Sequence, residues 1–292
     1  MPHFHGTITA LITPFKNGEV DFPTLEKLVE RQIDGGVDGL VPCGTTGESP
    51  TLSKEEAEKV IACVVRTARK RVPVIAGTGS YSTADAIYKS KKAADLGADA
   101  LLVVSPYYNK PTQAGLFAHF SAIAKAVPLP IMLYNIPGRC GVEISIPTIA
   151  KLHAEHSNIV SVKHATGRVD DAADLAHASK IEIVSGDDPI TWPLMAVGAL
   201  GVVSVISNLA PRAVKRLTTA GLKGDFAEAR CAHDALYPLM RPLLALETNP
   251  GPIKAAMALR GLCTEEFRLP MCPISPENRT KLESLLKHHP ME

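Results

Sequence analysis

Lys163 is the lysine of this chain whose setting points to chemistry. Most of the others fall in stretches of helical or turn composition beside polar residues, whereas Lys163 ends the run Ile159-Val160-Ser161-Val162-Lys163. With a side-chain period of two, Ser161, Lys163 and Ala165 share one face, opposite Val160 and Val162. Small neighbours on that face leave room for a long side chain inside the protein. Desolvation there disfavours an ammonium, and a neutral amine is the species that attacks a ketone to form a Schiff base. The rival reading is an interior structural lysine paired with Glu48 or Asp187, since buried lysines are usually paired.

Other reactive types recur at the ends of similar runs. Gly44-Thr45-Thr46-Gly47-Glu48 offers hydroxyls and close-approaching amides suited to a carboxylate. Tyr134 closes the apolar run IMLY, where a phenol could exchange protons. Arg139 follows in Pro137-Gly138-Arg139, and its planar fork matches a carboxylate bidentately. Pro106-Tyr107-Tyr108-Asn109, Gly186-Asp187-Asp188 and Ser207-Asn208 complete the set. Each has an ordinary alternative: a plain turn, a core tyrosine, a solvated loop arginine. The chemical reading needs them brought together.

The elements predicted around them do that. Eight short runs read as strands: Thr7–Thr13, Gly39–Cys43, Pro73–Gly77, Ala100–Ser105, Pro130–Asn135, Ile159–Lys163, Ile181–Ser185 and Gly201–Ser207. Several are almost continuously apolar, as parallel strands covered on both faces require. Helix starts are marked at Thr51-Leu52-Ser53, Ser82-Thr83 and Thr112, and stops at Gly35-Gly36 and Gly97. Eight strand–helix units predict a closed (β/α)8 TIM barrel, whose active site lies at the C-terminal ends of the strands. A dinucleotide-binding alternative would need GxGxxG after the first strand, where Ile12-Thr13-Pro14-Phe15 stands. Residues 1–224 are assigned to the catalytic barrel. Residues 225–292, carrying only helical signals, are assigned to a small helical region packed on it, with no linker ahead.

Composition bounds the partners. The 292 residues are 46% hydrophobic and 21% charged, with 31 basic and 30 acidic side chains and a net charge of +1. No basic block favours nucleic acid or a membrane surface. Six cysteines without a CxxC pair suit reduced thiols in a cytosolic, cytoplasmic setting. The start MPHFHGTITALITPF shows no secretory pattern. The uncharged stretch from Pro189 to Pro211 is long enough to cross a bilayer, but its prolines, glycines and Asn208 divide it into a short helix and a buried strand. His3 and His5 are terminal, and His153 and His156 lack a third partner, so neither a metal nor a cofactor is expected.

The ordered set GTTGE, PYYN, YNIPGR, VKHATG and SGDD closely resembles the dihydrodipicolinate synthase family of pyruvate-dependent aldolases. The resemblance runs from TALITPF to LPMCPIS, nearly end to end. It implies that Lys163 forms an imine with pyruvate, and that the derived enamine attacks L-aspartate 4-semialdehyde to give 4-hydroxy-tetrahydrodipicolinate, on the route to lysine and diaminopimelate. It further implies that Tyr134 is the general acid/base and that Thr45 links it to Tyr108 from a neighbouring subunit. Thr46 would hold the pyruvate carboxylate and Arg139 that of the semialdehyde, with Gly186 and Val203 lining the pocket. A homodimer or homotetramer is implied.

Two rival readings are N-acetylneuraminate lyase or a keto-sugar-acid aldolase of the same group, and a catalytically silent keto-acid-binding barrel. Thr45 and Arg139 argue against the first, and the intact Lys163, Tyr134 and Thr45 set against the second. One departure is His164, where relatives usually carry an acidic residue; alternation turns it away from Lys163. In relatives inhibited by lysine, imidazoles often stand at the positions of Lys54 and Ala57, an asparagine at Tyr81 and a glutamate at Asp85, near a shared Tyr107. The residues here imply weak or absent inhibition by lysine.

Overall fold

The computed structural model describes residues 3–289. Eight barrel strands appear, β1 (Gly6–Ala10), β2 (Gly39–Val41), β3 (Ile75–Gly77), β4 (Ala100–Val104), β5 (Ile131–Asn135), β6 (Ile159–His164), β7 (Glu182–Ser185) and β8 (Gly201–Ser204). All pair in parallel, in the order β2-β1-β8-β7-β6-β5-β4-β3. The ring closes where Leu40 bridges Val74 and the Gly77 amide donates to the Pro42 carbonyl at 3.0 Å. This is the predicted (β/α)8 barrel.

The alternating side chains build two concentric cores. Ile8, Val41, Leu102, Met132, Tyr134, Val184 and Val203 fill the interior. Their neighbours Leu40, Leu101, Val103, Leu133 and Ile183 face the helices. Such runs are apolar throughout because both faces are covered.

The first helices are α1 (Phe22–Asp34), α2 (Lys54–Ala68), α3 (Thr83–Asp95) and α4 (Gln113–Ala126). After β5 come the single turn α5 (Pro137–Cys140), then α6 (Ile146–Glu155), α7 (Val169–Ala178), α8 (Thr191–Ala196) and α9 (Pro211–Leu222). The expected starts at Ser53, Ser82 and Thr112 are N-caps, and Ser53 with Glu56 forms a full capping box. A cap of this kind stabilises a helix by about 1 kcal/mol. Gly97, at φ 88°, follows the end of α3 in a conformation that favours glycine. Past the barrel run α10 (Phe226–Leu246), α11 (Gly251–Leu259) and α12 (Pro276–His288), which bury Leu236, Leu243, Ile253 and Leu282 with α9.

Two strands stop three residues sooner than the sequence predicts. β1 ends at Ala10, because the Asn208 amide takes over the next rungs: its Oδ1 accepts from Ile12 N at 3.2 Å and its Nδ2 donates to Ala10 O at 2.7 Å. β8 ends at Ser204, because the Asp188 carboxylate accepts the Val205 and Ile206 amides at 2.9 and 3.3 Å and curls the chain into a 3-10 turn. The uncharged stretch from Pro189 divides as expected into α8 and β8, and among the described residues no helix is long and apolar enough to cross a membrane.

Candidate active site

β6 carries Lys163 into the barrel beside Tyr134 of β5, its partner in the ladder. Lys163 is 5% exposed and its Nζ stands 4.1 Å from the centre of the Tyr134 ring. Among the described residues it makes no ion pair, so neither Glu48 nor Asp187 holds it. Gly186 explains how the long stem fits. A Cβ at Gly186 would lie 3.0 Å from Lys163 Cε and 2.7 Å from Ala165 Cβ, so any side chain there would crowd both. Val203, Val184 and Ala165 complete the apolar surround.

The simple alternation expected for this strand holds for Ser161, Val162 and Lys163 but fails at Val160. A register irregularity opposite Ile131 and Met132 lets Val160 join the interior cluster. His164 lies outside the barrel as expected. It is buried, with Nε2 2.9 Å from the Arg168 carbonyl and 3.0 Å from the Thr166 hydroxyl, and so closes the loop that follows β6.

The loop after β2 supplies Thr45, Thr46 and Glu48. Thr45 and Tyr134 line one cavity of about 510 Å³, together with Tyr107, Ser80, Asp85 and Lys54. A larger groove of about 1240 Å³ runs along α1, α2, α9 and α10, and no strand-end residue lines it. Glu48 has left-handed backbone geometry, φ 53°, and its carboxylate accepts from Lys254 Nζ at 2.7 Å. Thr46 is buried and its Oγ1 accepts from Asn249 Nδ2 at 3.0 Å. Arg139, in the single turn α5, is exposed at the mouth and donates through Nη2 to the Asn249 carbonyl at 3.0 Å.

Not every predicted residue joins. Tyr108 is 91% exposed with φ 73°, and it does not line the cavity that Thr45 and Tyr134 share. Ser207, Asn208 and Asp188 are internal struts: Ser207 donates to Thr9 at 2.8 Å, and Asp188 is pushed up to about 6 by burial, opposed by the Ser204 hydroxyl and the two amides it accepts. His153 and His156 bond separately to the Ile159 carbonyl and Ser121. Sequence reasoning missed Asn249 and Lys254. The signal was present as a lysine between Ile253 and Ala255-Ala256-Met257, just after the Asn-Pro-Gly-Pro turn.

A buried amine without an ion pair among the described residues, set against a phenol inside a (β/α)8 barrel whose following loops carry threonines and an arginine, fits a Schiff-base aldolase. A model of the dihydrodipicolinate synthetase family matches residues 3–289. The 4-hydroxy-tetrahydrodipicolinate synthase of Pelobacter propionicus is 51% identical over 288 residues, covering 98% of this chain and 99% of its own. The dihydrodipicolinate synthase of Acinetobacter baumannii, solved in complex with pyruvate, superposes with a TM-score of 0.96 at 45% identity, over 99% of both chains. A dihydrodipicolinate synthase variant described as monomeric superposes equally well, TM-score 0.96, at 39% identity over 99% of this chain and 98% of its own. The chain belongs to the dihydrodipicolinate synthetase family.

Proposed function

We propose that this chain condenses pyruvate with L-aspartate 4-semialdehyde to give 4-hydroxy-tetrahydrodipicolinate, the reaction for which its relatives are named. The observation that carries the reading is Lys163, buried against the Tyr134 ring with no counter-ion among the described residues. Its Nζ adds to the pyruvate keto carbon and water leaves, giving an imine. Loss of a methyl proton makes an enamine, whose carbon attacks the aldehyde. The amino group of the second substrate then adds to the imine carbon and expels Lys163, which is free for another turn.

In this proposal Tyr134 moves the protons, with Thr45 and Tyr108 as relay. Thr46 holds the pyruvate carboxylate and Arg139 that of the semialdehyde, while Gly186 and Val203 shape the pocket. The exposure of Tyr108 supports a contribution to a neighbouring subunit, and so a homodimer or homotetramer. Sedimentation should find no fully active monomer, although one relative is described as a monomeric variant. A cytoplasmic setting is part of the proposal, supported by six free thiols. The rival aldolases lose ground because the relatives at about half identity carry the synthase name. Pyruvate-dependent consumption of aspartate semialdehyde is the test. Turnover of a sialic acid or keto-sugar acid in its place would overturn the substrate assignment.

A further inference from the structure

Three contacts run from one short segment of the C-terminal helices into the mouth. Asn249 precedes α11. Its side-chain Nδ2 donates to Thr46 Oγ1 and its backbone carbonyl accepts from Arg139 Nη2, both at 3.0 Å. Further along the segment, Lys254 donates to Glu48 at 2.7 Å, with both side chains enclosed to 0% and 1% exposure. Thr46 and Glu48 follow β2, whereas Arg139 follows β5. β3 and β4 stand between those strands round the barrel, so no ladder bond sets the spacing of the two loops. The segment starting at Asn249 spans that gap.

The chemistry of the Thr46 hydroxyl gives the contact a purpose. A hydroxyl has one proton to donate and two lone pairs. Because the Asn249 amide donates to a lone pair, the Thr46 proton is left to point elsewhere. The other end of the amide, Oδ1, is buried with no partner among the described residues. Buried polar atoms are almost always satisfied, and an exception calls for a reason beyond stability.

We propose that Asn249 is a positioning residue that turns the Thr46 hydroxyl proton toward the pyruvate carboxylate and, through its carbonyl, holds Arg139 at the distance the second carboxylate requires. The proposal rests on the roles given above to Thr46 and Arg139. Lys254 and Glu48 anchor the segment to the same loop.

Steady-state kinetics in both substrates, with borohydride trapping of the pyruvate imine, test it. Asn249→Ala should raise the KM for pyruvate roughly tenfold, about 1.4 kcal/mol, with kcat at saturating pyruvate near that of the wild type. The KM for aspartate semialdehyde should stay within about twofold, since the main-chain carbonyl that holds Arg139 survives. Thr46→Val combined with Asn249→Ala should be no worse for pyruvate than Thr46→Val alone. Asn249→Asp, almost unchanged in shape, draws the Thr46 proton to itself and should raise the pyruvate KM at least as much. An unchanged pyruvate KM in either Asn249 variant, or losses that multiply in the double variant, overturns the proposal while leaving the reaction in place. Failure of the wild-type chain to trap pyruvate overturns the reaction and this proposal with it.

Discussion

Lys163 and Lys254 are both enclosed, at 5% and 0% exposure, yet their surroundings differ in one respect. Lys254 has a carboxylate at 2.7 Å and the rings of Phe15 and Phe267 at 4.2 and 4.9 Å. Burial pushes its ammonium down, and Glu48 opposes that. Lys163 has a phenol ring and apolar walls, with no ion pair among the described residues. A buried amine with a dedicated counter-ion is a fixed charge and serves as an anchor. A buried amine without one is held by no carboxylate and is placed to serve as a reagent. Enclosure alone does not separate the two roles; the counter-ion does.

Removing each lysine should therefore do opposite things. Lys163→Ala should lower kcat by at least on the order of 10⁴-fold, as loss of a covalent nucleophile does. Because no ion pair is broken, its thermal midpoint should match or exceed that of the wild type. Near-normal turnover in Lys163→Ala would refute the assignment.

Lys254→Met should leave Glu48 buried and uncompensated, destabilising the chain by about 3–5 kcal/mol. Pairing it with Glu48→Gln should return much of that loss in a denaturation experiment. A double variant no more stable than Lys254→Met alone would mean that the pair is not the anchor.

Arg139→Ala sharpens the reagent side. It should cost about 2–4 kcal/mol of transition-state binding, falling on aspartate semialdehyde and much less on imine formation. Equal losses in trapping and in turnover would place Arg139 on pyruvate instead.

A smaller effect concerns the anchor side and depends on pH. Arg268 hydrogen-bonds Glu56 at 2.6 and 2.7 Å and pulls its carboxyl from the ordinary 4.5 down to about 2. A lowered carboxyl contributes stability that is complete above the unfolded value and is lost as pH falls toward the folded one. Glu56→Gln should therefore lower Tm at neutral pH, with the difference from wild type shrinking between pH 4.5 and about 2. A difference that persists at the acid end would exclude the ion pair as its cause.

The smallest expected effect is that of free lysine on the rate. Asp85 already has Lys54 at 3.3 Å and Lys89 at 2.7 Å, and the Tyr81 ring meets Tyr107 edge-on at 5.3 Å. A further ammonium finds its carboxylate occupied, and each lost polar contact to a charged ligand weakens binding by roughly 1–3 kcal/mol. Strong inhibition at sub-millimolar lysine would show that the cavity rearranges to admit it.

The same two lysines explain what could be read in the sequence. Lys163 stood out because a strand buried on both faces is apolar along its length, so one charged residue breaks the pattern. The eight runs, the caps at Ser53, Ser82 and Thr112, and the strand-end position of Arg139 and Thr46 follow from such local periodicity. Lys254 lies in a helix, where lysine is common, and its apolar neighbours Ile253 and Ala255-Ala256-Met257 hint at burial without naming the partner, which the long-range contact with Glu48 supplies. Asn249 meets Thr46 across 203 positions of sequence, which no local pattern encodes. The early end of β1 was hidden for the same reason, since Asn208 acts on Ile12 across 196 positions, and that of β8 depends on Asp188, 17 positions before Val205. Tyr108 could be assigned only by resemblance, because it is 91% exposed in its own chain.

The most direct test is reduction with borohydride in the presence of pyruvate, followed by mapping of the modified peptide. One reduced pyruvyl group should appear on Lys163 and none on Lys254. Label on Lys254, or an unlabelled Lys163 in a chain that still turns over, would contradict the distinction between reagent and anchor.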